Sequence, residues 1–584
     1  MKRYSKAWSA MLGSMLAVSV IAGCSGGNNE PSAASGESSK QPSATASAEA
    51  SVQPSASASA SAQAEPQPND RTKFDPPVTI TGAIALKASD KLRNGDTPEN
   101  NPVSRWFKDN LGIVTKYQWV VTDQADALGT KVRLAMTSGE QLPDVLSASG
   151  TLFEDLVASG KIQPIDEAFE KYATARVKEA YAKNPQVMAT VMRNGKMYGL
   201  PDLSNGFVGD TVMWVRQDWL DKLSLKAPTN VEEYEKVLDA FTNQDPDGNG
   251  KKDTYGMALG GNTGYHHPTA NYMADAMFVF GQHQPYFWLK GDDGQLHYGS
   301  VDPVVKDGLV KLGDWSAKGF LSPDFGTQDA TKAMADFTSG KAGIVFAPGW
   351  AGGWPIGTAI ADAEKKNEKL SIKPYPIPSG VDGQVGRQAS PPTYTTYVFR
   401  AGFEHMDAIF KYWDTLYSCS LEDEACPFGA GKGEGYDYVM KDGKPDWTVP
   451  EGTIDLGRYM LMSPGTTPPN VMDGPNIYQR VAAGSLNNIF EQKLAASNGP
   501  LTVEGFATAF QQQSSDVPNG FLGANTKTMI EKWEQLSTLE EQAYLQIIYG
   551  KAKPDYFDSF VKQWNDQGGA QITAEVNEQV AASK

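Results

Sequence analysis

From residue 74 onward, short β-branched segments alternate with segments of helical spacing. The strand-like segments are rich in Val, Ile and Thr, and they lie at 78–86, 114–121 and 144–146. The segments with helical spacing lie at 104–111 and 125–137, and a further helix through Phe241 is predicted from a capping box at residues 229–232. Strands that alternate with helices are typical of crossover units. The pattern therefore predicts an α/β fold with a largely parallel sheet.

The N-terminus has the three parts of a secretory signal. Lys2, Arg3 and Lys6 precede an apolar run at residues 11–22, which is too short to span a bilayer as a stable helix. Small residues and then Cys24 follow, and this layout resembles the lipobox of bacterial lipoproteins. The resemblance implies that residues 1–23 are removed and that Cys24 carries acyl chains that hold the protein at a membrane. The alternative is an ordinary cleaved signal followed by a chance cysteine.

The segment after Cys24 has a composition that cannot build a core. Residues 25–70 are dominated by Ser, Ala, Gln, Pro, Gly and Glu and contain no aromatic residue. Such a segment buries too little apolar surface to offset its ordering entropy. Residues 24–73 are therefore predicted to be the lipidated cysteine and a disordered tether, which keeps a globular module near a membrane outside the cytoplasm.

The charge balance disfavours one class of partner. The chain has 69 acidic and 52 basic residues, a net charge of -17. Nucleic-acid binders gain affinity from clustered Lys and Arg that replace counterions. We therefore expect no nucleic-acid partner.

One acidic loop has the spacing of a calcium site. Its oxygen-bearing side chains stand at loop positions 1, 3, 5 and 9, and position 7 offers a backbone carbonyl. The predicted ligands are Asp245, Asp247, Asn249, the Lys251 carbonyl and Asp253. Gly256 stands at position 12, where such loops usually carry a bidentate Glu. The sequence predicts structural Ca²⁺ with a further ligand from elsewhere, and the alternative is an acidic surface turn without metal.

Two cysteines lie close together near the middle of the chain. Cys419 and Cys426 are seven residues apart, and an exported domain can keep such a pair oxidised. A disulfide between them is predicted. The alternative is two buried free thiols.

Several sequence blocks resemble those of one protein family. In chain order they are MTSGEQLPDVLSAS, LVASGKIQPIDE, NGKMYGLP, MWVRQDWLDKLSLKAPTNVEEYEKVL, DPDGNGKKDTYG, FTSGKAGIVFAPGW and GAGKGEGYDY. They resemble bacterial extracellular solute-binding proteins of family 1, the sugar-binding class, and among these the alginate-oligosaccharide binders. The resemblance covers nearly all of the chain after the tether.

The resemblance implies the type II periplasmic-binding-protein fold, with two hinged lobes and a ligand cleft between them. It places lobe one at 74–200 and 395–460, and lobe two at 201–394 and 461–584. It also implies that a carbohydrate, most simply an oligosaccharide, is captured in the cleft and delivered to the permease subunits of an ABC importer. We expect a monomer with no catalytic residues.

Candidate ligand residues follow from what a sugar ring requires. A pyranose has apolar faces and a belt of hydroxyl groups, so its site needs aromatic platforms and neutral polar groups. Trp350 stands where relatives place a stacking aromatic residue, and each aromatic candidate has a core or rim position as its alternative. The set is Trp350, Trp354, Ser147, Ser149, Tyr394, Tyr397, Tyr265 and Trp288.

Two other functions compete with sugar import. A peptide-binding or sensory solute-binding protein would share the fold. A surface polysaccharide-degrading enzyme needs two carboxylates, which a sequence this rich in acids supplies in number. The one Gly-x-Ser-x-Gly match, at residues 23–27, coincides with the lipobox-like segment and lies outside the globular part, and the sequence contains no His-Glu-x-x-His motif. Product formation distinguishes an enzyme from a binder.

Overall fold

A computed structural model gives the structure of the protein. It describes residues 71–87, 92–123, 126–203, 209–261, 273–421, 433–436, 438–442, 444–447, 454, 456–463, 474–487 and 489–582. All of these belong to one compact unit, residues 64–584. The predicted signal peptide, Cys24 and the tether up to residue 70 lie outside the described residues.

One hydrophobic core, the first core, is built from two separate stretches of chain, residues 78–203 and 398–462. Its longest strands, Val78–Leu86 and Ile113–Thr122, pair in parallel. Its shorter sheet has Thr396–Phe399 in the centre, antiparallel to Val145–Ala148 on one side and to Leu200–Pro201 on the other. The helices of this part are Pro102–Trp106 with a π-helical turn Phe107–Leu111, Ala127–Ser138, Gly150–Ala158, Asp166–Tyr172, Ala175–Ala182, Pro185–Ala189 and Met406–Leu421.

The second core surrounds a four-stranded sheet. The strand order is Ile372–Tyr375, Thr211–Arg216, Ala342–Pro348, Tyr255–Met257. Successive residues of a strand point to opposite faces, and here each face has its own buried cluster: Met213 and Val215 lie in one, Val212 and Trp214 in the other. The sheet is therefore covered on both sides.

Helices and short strands complete the second core. The first of the two clusters extends into the C-terminal helices through Val576. The helix that spans Ile489–Gln511 is broken at Gly499, where φ is 71°. The helices are Gln217–Leu223, Val231–Asn243, Pro303–Ala317, Ala330–Thr338, Ile356–Lys365, Gly474–Ala482, Ile489–Gln511, Lys527–Ile548, Tyr556–Trp564 and Ala570–Ala582, and the remaining strands are Trp288–Lys290, Leu296–Tyr298, Arg387–Gln388 and Asp516–Val517.

Most of the predicted elements are confirmed, and two details of the prediction are wrong. Parallel and antiparallel pairs both occur, and the four-stranded sheet has one parallel and two antiparallel pairs, so the sheets are not largely parallel. In the first core, the chain leaves by one strand and returns by another that runs antiparallel to it. The capping box is shifted by one residue. Asn230 caps the helix, and Glu233 accepts hydrogen bonds from the backbone and hydroxyl of Thr229. Among the described residues, no helix combines the length and the apolar character needed to cross a membrane.

Candidate ligand site at the crossing segments

Two passages of the chain between the cores, at 202–210 and 388–395, are tied together at Asp202, and a third, at 464–473, lies outside the described residues. Its Oδ1 accepts hydrogen bonds from the Thr393 hydroxyl at 2.5 Å and from the backbone amides of Tyr394 and Thr395 at 2.9 and 3.2 Å. Its own amide donates to the Thr395 carbonyl at 2.7 Å. Burial raises the pKa of the Asp202 carboxyl, although these donors oppose the shift.

A second carboxylate, Asp210, ties the same passages at the side of the second core. Its Oδ1 accepts from the amide and the hydroxyl of Ser390 at 2.9 and 2.8 Å. Its Oδ2 accepts from the buried guanidinium of Arg387 at 3.3 Å, and Arg387 also donates to Asp516 at 2.5 Å. Burial and the neighbouring Asp210 raise the pKa of Asp516. Asp202 and Asp210 therefore fix both ends of the crossing region.

A pocket of about 420 Å³ opens beside this region, on the side of the first core. Three of the predicted ligand residues, Ser147, Ser149 and Tyr394, line it together. They meet because the strand Val145–Ala148 pairs with the strand that follows the second passage. The other lining residues are Asp126, Leu128, Gly129, Arg133, Ala148, Thr151, Leu152 and Thr395.

The charged groups of the pocket pair with each other. The helix Ala127–Ser138 begins after Asp126, whose carboxylate accepts from the Gly129 amide. Arg133, two turns later, donates to Asp126 Oδ2 at 2.7 Å. On the opposite wall, burial raises the pKa of the Tyr394 phenol, and the nearby Asp210 and Asp202 raise it further. The pocket thus offers hydroxyl groups and one neutralised ion pair.

Trp350 and Trp354 follow the strand Ala342–Pro348 of the second core. Trp350 is half-buried and packs against two clusters of that region, whereas 59% of Trp354 is exposed. A Cβ at Gly349 would lie 2.6 Å from the Phe506 amide nitrogen, and one at Gly352 would lie 2.8 Å from the Thr502 nitrogen. Glycine is needed in this loop because the segment 501–506 packs directly on it.

Two further aromatic candidates, Tyr397 and Trp288, do not line the pocket. Tyr397 packs edge-to-face on Trp413, and its hydroxyl oxygen accepts from the Ser463 amide at 2.8 Å. Trp288 is 3% exposed and contacts the rings of Tyr298 and Trp533 in the second core. Tyr265 lies outside the described residues.

The acidic loop at 245–253 is closed by its own hydrogen bonds. The Asp245 carboxylate accepts hydrogen bonds from the backbone amides of Gly248 and Gly250. The side-chain amide of Asn249 donates to the carboxylates of Asp247 at 2.7 Å and Asp253 at 3.1 Å. In the described part of the chain, no group of three or more His, Cys, Asp or Glu side chains meets the geometry of a metal site. The carboxylates of Asp247 and Asp253 both accept from the side-chain amide of Asn249, and carboxylate and amide oxygens are the ligand type that a hard cation prefers.

The structure explains why Gly256 replaces the usual Glu of such loops. A Cβ at Gly256 would lie 2.5 Å from Leu238 Cδ2 and 2.9 Å from Leu238 Cα. The helix Val231–Asn243 therefore excludes any side chain at this position. The twelfth position of the loop cannot supply a ligand side chain.

The cysteine prediction falls where the structure is not described. Cys419 lies in the helix Met406–Leu421, and its side chain is outside the described set. Cys426 lies outside the described residues. The disulfide stays a prediction.

Sequence reasoning missed Asp126, Arg133, Asp202 and Asp210. Asp202 directly follows the apolar strand Leu200–Pro201, and Asp210 directly precedes the buried strand Thr211–Arg216. An acidic residue next to a buried strand at each end of a crossing segment could have indicated these two positions. Asp126 and Arg133 gave no comparable signal, because the pocket they line is assembled from residues far apart in sequence.

A comparison with known families gives the identity of the chain at family level. A profile of bacterial extracellular solute-binding proteins matches residues 108–399, half of the sequence. The chain belongs to the bacterial extracellular solute-binding proteins. This agrees with two separate cores, each built from more than one stretch of the chain.

Curated relatives of this solute-binding protein come from Bacillus subtilis. The chain is 23% identical to Lipoprotein LipO over 512 residues, which are 85% of this chain and 93% of LipO. It is 24% identical to the polygalacturonan/rhamnogalacturonan-binding protein YtcQ over 417 residues, 69% of this chain and 73% of YtcQ.

Solved structures of solute-binding proteins share the fold. One is an HMO-binding, ABC-transporter-associated solute-binding protein from Bifidobacterium longum infantis, with a TM-score of 0.61, 17% identity, and coverage of 87% of this chain and 99% of that one. Another is the alginate-binding protein AlgQ2 without calcium ion, with a TM-score of 0.55, 17% identity, and coverage of 88% and 100%. A third is an EF-hand mutant of FusA from Streptococcus pneumoniae in complex with fructo-nystose, with a TM-score of 0.55, 17% identity, and coverage of 87% and 100%. The chain therefore has the two-lobe fold of periplasmic solute-binding proteins.

Proposed function

We propose that this protein is the substrate-binding lipoprotein of an ABC importer, and that it captures an oligosaccharide between its lobes and delivers it to the permease. The observation that carries the proposal is the pocket beside the crossing segments, where Ser147, Ser149 and Tyr394 meet in a member of the solute-binding family. Relatives named for polygalacturonan and fructo-oligosaccharide binding support carbohydrate as the solute class. The protein binds and releases its ligand without chemistry.

The crossing region would serve as the hinge. Lobe one takes 74–200 and 395–460, and lobe two takes 201–394 and 461–584. Asp202 and Asp210 hold the two passages together, so the lobes would move about a fixed pair of linked segments. Closure would bring the loop of Trp350 and Trp354 toward the sugar. Exposed Trp354 is the stronger candidate for a platform that stacks on a sugar face.

The acidic loop would bind Ca²⁺ through Asp245, Asp247, Asn249, the Lys251 carbonyl and Asp253. Structures of AlgQ2 without calcium ion and of an EF-hand mutant of FusA, which share this fold, support the assignment. The ion would hold together carboxylates that otherwise repel each other. We expect a chelator to lower the Tm of the wild-type protein and to have little effect on Asp253→Asn. A melting curve that is the same with and without chelator would contradict the calcium assignment.

The N-terminus would anchor the protein. A lipid on Cys24 and a tether to residue 73 would hold the module outside the cytoplasm at the membrane that carries its permease, and a lipoprotein relative supports this. A disulfide between Cys419 and Cys426 would suit that oxidising location.

The test is a thermal-shift screen of the purified protein against oligosaccharides and peptides. A ligand at a hundredfold excess over Kd stabilises the native state by about 2.7 kcal/mol, which a melting curve detects. We expect a Tm increase with an oligosaccharide that is recovered intact. Trp354→Ala should weaken this response, and Tyr172→Ala, which removes an exposed ring on a helix of the first core, should not. A response to peptides alone, or new reducing ends in the recovered sugar, would overturn the proposal.

A further inference from the structure

We infer that the pocket at the crossing segments selects uncharged sugars over uronic acids, and that Asp126 is the residue that sets this preference. The inference rests on the proposed carbohydrate function and specifies its substrate class. It starts from the charges on the pocket wall.

The cation of the pocket is already satisfied. Among the described residues that line the pocket, Arg133 carries the one positive charge. Its Nη1 donates to Asp126 Oδ2 at 2.7 Å, and its Nε lies 3.9 Å from Asp155 Oδ2. Two carboxylates therefore face one guanidinium, and the local balance around Arg133 is negative.

A uronate would have to compete for this guanidinium. Carboxylates are recognised best by an arginine that can offer two parallel N–H groups. One of these N–H groups of Arg133 already donates to Asp126. A sugar carboxylate that approached Arg133 would therefore come within a few ångströms of the Asp126 carboxylate. The repulsion between like charges at that distance disfavours binding.

Among the described lining residues, the opposite wall adds no compensating charge. The carboxylates of Asp202 and Asp210 lie near Tyr394 and act on its phenol. Residues 124–125, which precede Asp126 and lie outside the described residues, contain no Lys or Arg.

The neutral groups of the pocket match the chemistry of an uncharged sugar. Its lining includes the hydroxyls of Ser147, Ser149, Thr151, Tyr394 and Thr395. Each hydroxyl can donate one hydrogen bond and accept others, so the set can satisfy sugar hydroxyls of either polarity. A sugar carboxylate only accepts hydrogen bonds, so it would use the O–H donors of these groups and leave their acceptor oxygens without a partner from the ligand.

Asp126→Asn is the informative variant because it changes charge and little else. Asp126 caps the helix Ala127–Ser138 by accepting from the Gly129 amide, and Asn is as good an N-cap as Asp. The variant frees the guanidinium of Arg133 while keeping the cap. Glu140→Gln is the matched control: Glu140 pairs with Lys131 of the same helix at 2.7 Å and does not line the pocket.

The experiment measures Kd by calorimetry for neutral trisaccharides and their uronic counterparts, such as galactotriose and trigalacturonate, mannotriose and trimannuronate. It uses the purified protein at one low ionic strength, because salt screens the charges. For the pair that binds, we expect the wild type to prefer the neutral sugar by about tenfold or more, and Asp126→Asn to reduce that preference by about tenfold. Glu140→Gln should leave it unchanged.

The outcomes separate this inference from the proposed function. A wild type that binds a uronic sugar as tightly as its neutral partner overturns the inference and leaves the carbohydrate function in place. An equal effect of Asp126→Asn and Glu140→Gln overturns the assignment to Asp126. Absence of any response to glycans, with the same screen detecting peptides, overturns both.

Discussion

The two ends of the crossing region are fixed by the same residue type in different ways. At the first core, Asp202 is held by a hydroxyl and two backbone amides, all of them neutral donors. At the second core, Asp210 is held by Ser390 and by the buried cation Arg387, which a second carboxylate shares. Both ends join the same two passages.

The difference shows how a hinge can have one end fixed by backbone geometry and the other by charge. A carboxylate that accepts hydrogen bonds from backbone amides fixes the backbone conformation of the segment to which those amides belong. A buried guanidinium between two carboxylates fixes elements far apart in sequence, and removing one partner leaves a charge without compensation. The second end should therefore be the more sensitive to substitution.

The largest effect is expected for Arg387→Met. The change leaves Asp210 and Asp516 buried without their cation, and breaking a buried pair in this way costs about 3–5 kcal/mol. Urea unfolding followed by tryptophan fluorescence measures the loss. Arg400→Met is the control, because the pair of Arg400 with Asp144 is partly exposed and should cost less. Equal losses of unfolding free energy in the two variants would contradict the greater sensitivity expected at the Asp210 end.

A smaller difference is expected between Asp210→Asn and Asp202→Asn. An amide at 210 presents an NH₂ group or a neutral oxygen to Arg387, and losing a hydrogen bond to a charged group costs about 1.5–3 kcal/mol. An amide at 202 keeps an oxygen for its three donors, and we expect a loss of about 1 kcal/mol or less. The free energies of unfolding of the two variants at pH 7 test this. A larger loss for Asp202→Asn would reverse the comparison.

The smallest effect concerns pH. Burial raises the pKa of Asp202 in the folded state, so the folded protein binds more protons than the unfolded chain above pH 3.8. This contribution to stability is present at acid pH and is lost as the pH rises through the folded pKa. Asp202→Asn should remove that dependence. The stability of the wild type relative to this variant should fall with rising pH, by at most about 1.4 kcal/mol per unit of pKa shift. A constant difference would contradict the role of burial at Asp202.

Local sequence signals were sufficient for the elements and for part of the site. The β-branched run at Val78–Leu86 and the periodicity of Ala127–Ser138 depend on neighbours in sequence. Tyr394 and Ser147 were candidates because of their side-chain types, and both line the pocket.

Contacts between distant residues were beyond those signals. Asp202 meets Thr393, 191 residues later, and no local pattern indicates that partner. Trp288 stands in a loop-like segment, yet Phe521 and Trp533 of the C-terminal region cover its ring. Aromatic composition alone does not separate a ligand platform from a core residue. The acidic loop could be predicted because the spacing of its oxygen ligands is local. The glycine at position 256 is explained only by the helix that packs against it.

The central position of Thr396–Phe399 in the first core has a consequence for how the chain folds. This strand lies between Val145–Ala148 and Leu200–Pro201, although it follows the first of them by about 250 residues and the second by about 195. Synthesis proceeds from the N-terminus. Residues 78–203 of this core therefore keep apolar faces uncovered until the strand Thr396–Phe399 has been made. The second core is largely synthesised during that interval. The region that comes first in the sequence is therefore completed only after the chain has been made through its second passage, and until then part of its apolar surface stays uncovered.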